Sequence, residues 1–251
     1  MKMKYRLALL LVSTALILPL AACQTTSEQA SKQDRSERIG AALEQAANDA
    51  SNAGNTEESL ALLERSYKRD SSNMALATKY ARALRTADRL TRAALVLSPF
   101  VNDGGDADAA AHIEYAATMA AMGTYAEAEA HARQAVLMEP ENGQAYHILG
   151  IALDAQGHHP QAETAFRKGL ELWQGDPGPV LNNLGLNLAT QGFIDEALDT
   201  LRKAADVSPN RQEIERNLRI VGALQVQPPK TGMKLIPKPP RKPENKENKE
   251  G

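Results

Sequence analysis

The chain has 251 residues, of which 43% are hydrophobic and 4% aromatic, and its formal net charge is -2. This apolar content is sufficient for a buried core, and the single cysteine excludes an intramolecular disulfide and any multi-cysteine zinc or iron–sulfur site. Without its basic start and basic end, the body at residues 7–227 carries 28 acidic and 19 basic residues, a net charge of -9. Such a body lacks the basic face that phosphate contacts require, which argues against a nucleic-acid partner.

The first 22 residues have the pattern of a signal peptide. Three basic residues within the first six are followed by an apolar run from Leu7 to Leu18 and then by small residues. This run of about 12 residues is shorter than the roughly 20 that a transmembrane helix needs. We therefore predict a signal peptide at residues 1–22 rather than a membrane span.

The signal peptide ends in Leu20-Ala21-Ala22-Cys23, which resembles the lipobox of bacterial lipoproteins. In that family the cysteine thiol takes a diacylglycerol, the chain is cleaved before the cysteine, and the new amino terminus is acylated, typically with palmitate. The resemblance implies lipidation at Cys23 and stable membrane anchoring, because two or more acyl chains hold a protein durably. Gln24, in place of an aspartate, implies sorting to the periplasmic face of the outer membrane. The alternative is an ordinary signal peptide that contains a cysteine.

The segment that follows is polar. From Gln24 to Arg38 the only apolar residue is Ala30. We predict that residues 23–39 comprise the lipidated cysteine and a flexible tether, which would hold the folded body roughly 20 Å from the bilayer.

The rest of the chain repeats with a period of 34 or 35 residues. One slot holds a small residue in the first half of each repeat: Ala47, Ala81, Ala116, Gly150 and Gly185. A second slot holds a turn residue: Gly54, Asp88, Gly123, Gly157 and Gly192. A third slot holds a small residue in the second half: Ser59, Ala93, Ala128, Ala162 and Ala197. Apolar residues at helical spacing surround these slots and predict a pair of helices in each repeat.

This pattern resembles the tetratricopeptide repeat, a helix–turn–helix unit of 34 residues. The predicted fold class is all-α, an α-solenoid of such repeats with a disordered tether before it and a disordered tail after it. Four good units are predicted, at residues 74–108, 109–142, 143–177 and 178–211. A degraded unit at residues 40–73 has serines where other units have alanines, and residues 212–225 resemble an unpaired first helix that would cap the stack.

The last 24 residues contain six prolines and seven basic residues. We predict that residues 226–251 form a disordered tail, with polyproline II conformation in places. Two interpretations stay open, a ligand for an aromatic-lined groove or acidic surface, and a solvated tail.

Motifs of catalysis or of cofactor and metal binding are absent from the sequence. It has no glycine-rich phosphate loop, no His-Glu-x-x-His and no Gly-x-Ser-x-Gly. His158 and His159 are adjacent in a predicted turn without an acidic residue within two positions. We therefore predict no catalytic residue, no cofactor and no metal site.

A stack of helix pairs offers a concave groove, lined by the first helix of each unit. The resemblance implies that the groove-facing residues are those around the Leu-Gly pair: Thr78, Lys79, Arg82, Arg85, Ile113, Glu114, Ala117, His147, Ile151, Asp154, Asn182, Asn183 and Asn187. Asn183 and Asn187 are one helical turn apart, and each amide can pair with the backbone of an extended peptide. The basic group of Lys79, Arg82 and Arg85 suits an acidic segment or a carboxylate. The alternative is that these are solvated side chains, and the class of peptide stays open.

Within the repeat-bearing lipoproteins one resemblance is closer. The order of lipobox, polar tether, LLERSYKRDSSNMALATKYARALRTADR, several units and a terminal RNLRIVGALQ is similar to the TadD-type lipoproteins of tight-adherence (Flp) pilus systems. That resemblance implies a non-enzymatic scaffold that supports assembly or stability of the pilus secretin and its export apparatus. Two alternatives are a pilotin for a type IV pilus secretin or another envelope complex and, from a different class, an envelope enzyme or metal-binding factor.

Overall fold

The computed structural model describes the backbone of residues 21–102 and 107–225, and the side chains of these ranges from residue 35 onward. The described residues form α-helices and no strand, joined by short turns into antiparallel hairpins. This confirms the predicted all-α fold class, an α-solenoid of tetratricopeptide repeats. The chain divides after Ala107 into two compact units, here called unit 1 and unit 2.

The described residues of unit 1 form four helices: α1 (Ala21–Asn52), α2 (Thr56–Arg69), α3 (Met74–Thr86) and α4 (Leu90–Val101). Each helix packs on the next one along the chain. Helices α1 and α2 cover the predicted degraded unit and bury Leu43, Ala47, Leu60 and Leu63 between them. In this hairpin the hydroxyl of Ser59, which stands where other units have alanine, donates to the carbonyl oxygen of Ala47 at 2.8 Å. The buried serine therefore joins the two helices and leaves no polar atom unpaired.

The structure differs from the sequence-based prediction at residues 23–39, where it has helix α1 in place of a flexible tether. Nine of its 17 residues are glutamine, glutamate, lysine, arginine or alanine, which lose little side-chain freedom in a helix. Its last part also makes a tertiary contact, because Arg69 Nη2 donates to Ser36 Oγ at 3.3 Å. The polar composition therefore allows a helix that continues outward from the packed half of α1.

Other predicted segments lie outside the described residues. These are residues 1–20 of the predicted signal peptide and the predicted tail at 226–251. Cys23 lies in α1, and its side chain is likewise outside the described part. Within the part of the chain that the structure describes, no helix combines the length and the apolar character needed to cross a membrane.

In unit 2, residues 108–225 form three hairpins and one further helix: α5 (Ala109–Met122) with α6 (Tyr125–Met138), α7 (Gly143–Ala155) with α8 (His159–Glu171), α9 (Gly178–Thr190) with α10 (Ile194–Val207), and α11 (Gln212–Gln225). Successive hairpins pack side by side, and α11 packs on α9 and α10. The core is built mainly from alanine and leucine, with Phe166 as its largest fully buried side chain.

Left-handed backbone at one position turns each hairpin. The five residues of the predicted turn slot have φ between +58° and +81°, and four of them are glycines. Asp88 is the exception, with φ of +58°. Since a side chain in this region costs free energy that glycine does not incur, the α3–α4 turn is the strained member of the set.

Helices within a hairpin approach most closely at the small residues of the first slot. A Cβ atom placed on Gly150 would lie 2.5 Å from the ring of Phe166, and one on Gly185 would lie 2.7 Å from Leu201 Cγ. These distances are shorter than van der Waals contact. The two glycines are therefore required by packing, as the repeat pattern predicts.

A hydrogen bond recurs between consecutive repeats of unit 2. Gln156 Nε2 donates to Glu129 Oε2 at 2.8 Å, and one repeat later Gln191 Nε2 donates to Glu163 Oε2 at 2.9 Å. Each glutamine directly precedes a turn glycine. The glutamine and glutamate at equivalent repeat positions therefore connect the end of α7 to α6 and the end of α9 to α8.

Candidate protein-binding site

The predicted groove residues are divided between the two units. Lys79, Arg82 and Arg85 lie on α3 of unit 1. Lys79 is exposed and forms an ion pair with Glu44 of α1. Arg82 is exposed and Arg85 half-buried. The ammonium of Lys79 therefore already has a carboxylate partner within its own unit.

In unit 2 the predicted residues on α7 and α9 form a continuous row of polar side chains. Asn217 Nδ2 donates to Asn182 Oδ1 at 2.9 Å, Asn182 Nδ2 donates to Asn183 Oδ1 at 3.3 Å, and Asn183 Nδ2 donates to His147 Nε2 at 2.9 Å. We call these four residues the amide ladder. It connects α11, α9 and α7, so that three consecutive first helices share one hydrogen-bonded chain.

His147 ends the amide ladder as a neutral imidazole. Because its Nε2 accepts a hydrogen bond from Asn183, its proton is on Nδ1. Burial lowers the pKa of His147 to about 4, since the surrounding protein disfavours the charged form. Its ring also contacts the Trp173 indole edge-to-face, with centroids 5.3 Å apart. The histidine is thus held on two sides and stays uncharged at neutral pH.

A second polar cluster lies one turn further along α7 and α9. Asn187 Nδ2 donates to Asp154 Oδ1 at 2.6 Å and to the carbonyl oxygen of His159 at 3.0 Å, and Asn187 Oδ1 accepts from Gln191 Nε2 at 2.9 Å. His159 Nδ1 lies 2.7 Å from the same Asp154 oxygen. Asn187 is fully buried, so both its donors serve this cluster and its surface is closed to a ligand.

The structure therefore separates two asparagines that sequence reasoning treated as equivalent. Asn183 is half-buried and keeps one amide hydrogen and one oxygen lone pair that the amide ladder does not use. Asp154 is also partly exposed, with 27% of its side-chain surface accessible. Asn183 and Asp154 can bind the backbone of an extended chain, whereas a peptide would reach Asn187 only by displacing an internal bond.

Several other predicted groove residues are covered. Ile113, Glu114 and Ala117 of α5 are buried, Thr78 donates to the carbonyl oxygen of Met74, and Asn182 is buried within the amide ladder. Ile151 is half-buried and packs against the core. Of the predicted set in unit 2, Asn183, Asp154 and Ile151 thus provide the accessible surface.

Sequence reasoning missed that the amide ladder occupies one repeat slot. His147, Asn182 and Asn217 follow one another at intervals of 35 residues, which is one period. A polar residue at the same slot of three consecutive units was a usable signal, because equivalent slots on stacked repeats face each other. The participation of His159 left no comparable signal.

A pair of histidines lies between α5 and α6. His112 Nδ1 is 3.0 Å from His131 Nδ1, and the rings are stacked with centroids 5.2 Å apart. Burial lowers the pKa of both imidazoles, against opposing effects of Asp108 on His112 and of Glu127 on His131. Since one nitrogen must accept while the other donates, this contact requires at least one neutral ring.

The described residues contain no group of three or more histidine, cysteine, aspartate or glutamate side chains that could hold a metal ion. His158 is exposed, and His159 makes its contact with Asp154.

Comparisons with known proteins agree with this architecture. A family model described as tetratricopeptide repeat matches residues 44–98 and 119–177. A comparison with curated protein sequences gives no match.

Solved structures with the same fold are found at low sequence identity. TTC0263, a thermophilic tetratricopeptide-repeat protein of Thermus thermophilus, is 16% identical with a TM-score of 0.63, over 73% of this chain and 99% of that one. A tetratricopeptide-repeat protein from Parabacteroides merdae ATCC 43184 is 15% identical with a TM-score of 0.56, over 75% of this chain and 74% of that one. YrrB, described as a repeat protein with an unusual peptide-binding site, is 19% identical with a TM-score of 0.50, over 70% and 90% of the chains. These likenesses show the fold.

The helical hairpins, the left-handed turns and the family match together define the fold as that of the tetratricopeptide repeat. Such a fold presents surfaces that suit peptide or protein partners.

Proposed function

We propose that this protein is a lipid-anchored, non-enzymatic scaffold that binds a protein partner through unit 2 and supports assembly of a tight-adherence (Flp) pilus secretion apparatus, by assembling or stabilising its secretin. The observation that carries the binding function is the accessible amide of Asn183, fixed by hydrogen bonds on both sides within the amide ladder.

Preorganisation supports a binding role for this surface. Asn183 is held by His147 and Asn182, and Asp154 is held by Asn187 and His159. A side chain that is already ordered loses less conformational entropy when a ligand binds, so more of the interaction free energy remains as affinity. An extended peptide offers a donor and an acceptor at each residue, which matches the spare donor and acceptor of Asn183.

The membrane part of the proposal depends on the sequence. The Leu-Ala-Ala-Cys motif at residues 20–23 follows a basic start and an apolar run, and Gln24 follows the cysteine. Lipid on Cys23 would hold the repeats at the periplasmic face of the outer membrane, where a secretin assembles. The pilus part depends on the resemblance of residues Tyr67 to Arg89 and of the closing Asn217-Leu218 to TadD-type lipoproteins.

Capture of partners by the native lipoprotein, followed by identification of the recovered proteins, tests this function. We expect to recover the tight-adherence secretin or a component of its export apparatus. Recovery of a type IV pilus secretin would instead identify a pilotin, and enzymatic activity or stoichiometric metal that depends on His158 and His159 would identify the other class.

Two single variants assign the capture to Asn183. Asn183→Ala should weaken capture while the helical circular dichroism stays unchanged, and it should lower the urea midpoint less than Asn187→Ala does, because Asn183 is half-buried and water can replace part of its bonds. Asn187→Ala should lower the urea midpoint, because it leaves buried partners without a bond. Asn210→Ala removes an exposed asparagine in the turn before α11 and serves as the matched control. Capture by Asn183→Ala at the wild-type level would exclude this surface.

The anchor is tested separately. Cys23→Ser should move the protein from the outer-membrane fraction to the soluble fraction, because the residue that would carry lipid is lost. Retention in the membrane fraction at the wild-type level would contradict the lipid anchor and leave the binding surface unaffected.

A further inference from the structure

A second accessible site in unit 2 lies where the α6–α7 turn meets the end of α8. A pocket of about 660 Å³ is lined by Glu139, Pro140, Glu141, Asn142, Gly143 and Gln144 of that turn and by Leu172, Trp173 and Gln174 after α8. The two segments meet closely, since a Cβ atom on Gly143 would lie 3.0 Å from the carbonyl oxygen of Leu172. The turns and helix ends form this pocket, and neither Asn183 nor Asp154 lines it.

Trp173, the single tryptophan of the chain, is fixed in the wall of the pocket. Its indole Nε1 donates to the carbonyl oxygen of Asp176 at 2.8 Å, and its ring meets that of His147 edge-to-face. Asp176 is in turn held by Ser208, by the backbone amide of Gly178 and by Arg211. The indole is half-buried and ordered before any ligand arrives.

The electrostatics of the pocket are negative. Its lining includes the carboxylates of Glu139 and Glu141 and no lysine or arginine. Glu139 accepts a hydrogen bond from Asn142 at 2.7 Å, and Glu141 forms no ion pair with any described residue. Helices α6 and α8 both end here and direct their carbonyl groups toward this region.

One feature of the pocket opposes this charge. Helix α7 begins at Gly143, so its amino-terminal dipole is positive. Asn142 Oδ1 accepts from the backbone amides of Gln144 and Ala145, which satisfies the first turn of that helix. The two carboxylates and the two carboxyl-terminal helix ends therefore dominate over the capped amino terminus.

We propose that this pocket binds a lysine or arginine side chain from a basic segment of a partner protein. The cation lies against the indole of Trp173 and pairs with the carboxylates of Glu139 and Glu141. A tryptophan face attracts a cation, and the attraction strengthens when an ordered pocket partly removes water. Charge complementarity extends beyond the pocket, because residues 108–225 of unit 2 carry 16 acidic and 8 basic side chains.

Exposed apolar residues beside the pocket define the partner further. Leu137 and Met138, in the last turn of α6 directly before Glu139, are 73% and 49% exposed. They provide an apolar surface for a residue adjacent to the bound cation. The partner segment therefore combines a basic residue with an apolar neighbour. This pocket is separate from the peptide-binding surface of the proposed function, because Asn183, Asp154 and Ile151 do not line it.

A defined peptide tests the pocket in the full chain. The probe is an acetylated hexapeptide of alternating lysine and proline, and its control carries glutamine in place of lysine. Trp173 reports binding through its fluorescence, and calorimetry measures the dissociation constant. We expect the lysine peptide to change the emission in a salt-sensitive manner and the glutamine peptide to bind at least about tenfold more weakly. Equal binding of the two peptides would overturn the proposal.

Matched variants locate the bound cation. Glu141→Gln, which breaks no internal bond, should weaken the lysine peptide about threefold, and Glu139→Gln with Glu141→Gln about tenfold. The control double variant Asp206→Asn with Glu215→Gln also removes two negative charges, but from exposed positions of α10 and α11. It should change the affinity for the lysine peptide little. If both double variants weaken peptide binding equally, the loss of affinity comes from the change in net charge, and this result would contradict a specific site for the cation in the pocket. Asn183→Ala should leave peptide binding unchanged, which separates this test from that of the proposed function.

The chain's own basic end is the competing occupant. Replacing the seven lysines and arginines of residues 228–251 by glutamine removes that competitor. We expect this variant to bind the lysine peptide with an affinity within about threefold of the parent, after correction for net charge. Tightening by more than about tenfold would identify the chain's own end as the occupant and overturn the assignment to a partner.

Discussion

Units 1 and 2 share the helical hairpin but satisfy their polar side chains differently. Over the described side chains, residues 35–102 of unit 1 carry 10 basic and 8 acidic residues, whereas residues 108–225 of unit 2 carry 8 basic and 16 acidic residues. Unit 1 joins neighbouring helices with exposed ion pairs, such as Arg89 with Glu57 and Arg92 with Glu64. Unit 2 has such pairs too, as between Arg167 and Glu196, but adds buried amides and histidines through the amide ladder and the cluster around Asn187.

The difference predicts what each unit responds to. Exposed ion pairs are screened by salt and contribute little, whereas buried neutral groups depend on pH and on packing. All five histidines of the chain belong to unit 2. Perturbations of packing and pH should therefore affect unit 2, and salt should affect unit 1 weakly.

The largest expected effect comes from packing in unit 2. Gly150→Leu would place a side chain against the fully buried ring of Phe166 and should lower the free energy of unfolding by about 3 kcal/mol. Gly40→Leu in α1 is the control, because a Cβ there meets nothing within 4 Å, and it should gain about 0.5–1 kcal/mol from better helix propensity. Urea denaturation gives the free energies, and hydrogen exchange assigns the loss to a unit. Faster exchange confined to α1–α4 in Gly150→Leu would contradict this prediction.

Acidification should destabilise unit 2 through His147. Its folded pKa of about 4 lies below the unfolded value, so the unfolded chain binds the proton more readily; stability is complete above about pH 6.5 and falls as the pH approaches 4. We expect a loss of about 2 kcal/mol between pH 7 and pH 5 from this group. The lowered pKa values of His112 and His131 act in the same direction.

Substitution separates the contribution of His147 from that of other groups. His147→Gln should flatten the dependence of unfolding free energy on pH between 7 and 5, and the exposed His158→Gln should leave it unchanged. If both variants retain the wild-type slope, the buried imidazole is not the source.

Substitutions at the left-handed turn positions should change the stability of the two units by smaller amounts and in opposite directions. Asp88→Gly relieves a non-glycine residue at φ of +58° and should stabilise unit 1 by about 0.5 kcal/mol, the gain being reduced by the larger entropy of the unfolded chain. The reciprocal change in unit 2, Gly192→Asp at φ of +78°, should cost about 1 kcal/mol. Thermal unfolding of the two variants measures both shifts, and shifts of equal sign would refute the assignment of strain.

The smallest expected effect is that of the ion pair between Lys79 and Glu44. Lys79 and Glu44 keep 47% and 31% of their side-chain surface exposed. Lys79→Met should therefore change the free energy of unfolding by less than about 0.5 kcal/mol, and about 0.5 M salt should remove most of the difference. A salt-independent loss above about 1 kcal/mol would indicate that unit 1 depends on this pair as much as unit 2 depends on its amides.

The amino-acid sequence by itself determined the repeat. The period of 34 or 35 residues, the turn residues and the small residues were readable because each slot recurs and because backbone handedness and close helix approach restrict residue type locally. The left-handed turn at Gly157 and the contact of Gly150 with Phe166 follow directly from that pattern.

Only the tertiary structure decided which polar residues are accessible. Asn183 and Asn187 have the same residue type on the same helix, yet Asn187 is buried because Asp154 and His159 of the preceding hairpin converge on it, together with Gln191 at the end of its own helix. The Trp173 pocket likewise joins two turns about one repeat apart, and α1 extends where composition alone predicted a tether. Helix and turn depend on the order of residues along the chain, whereas exposure, pKa and pockets depend on which side chains of adjacent helices meet.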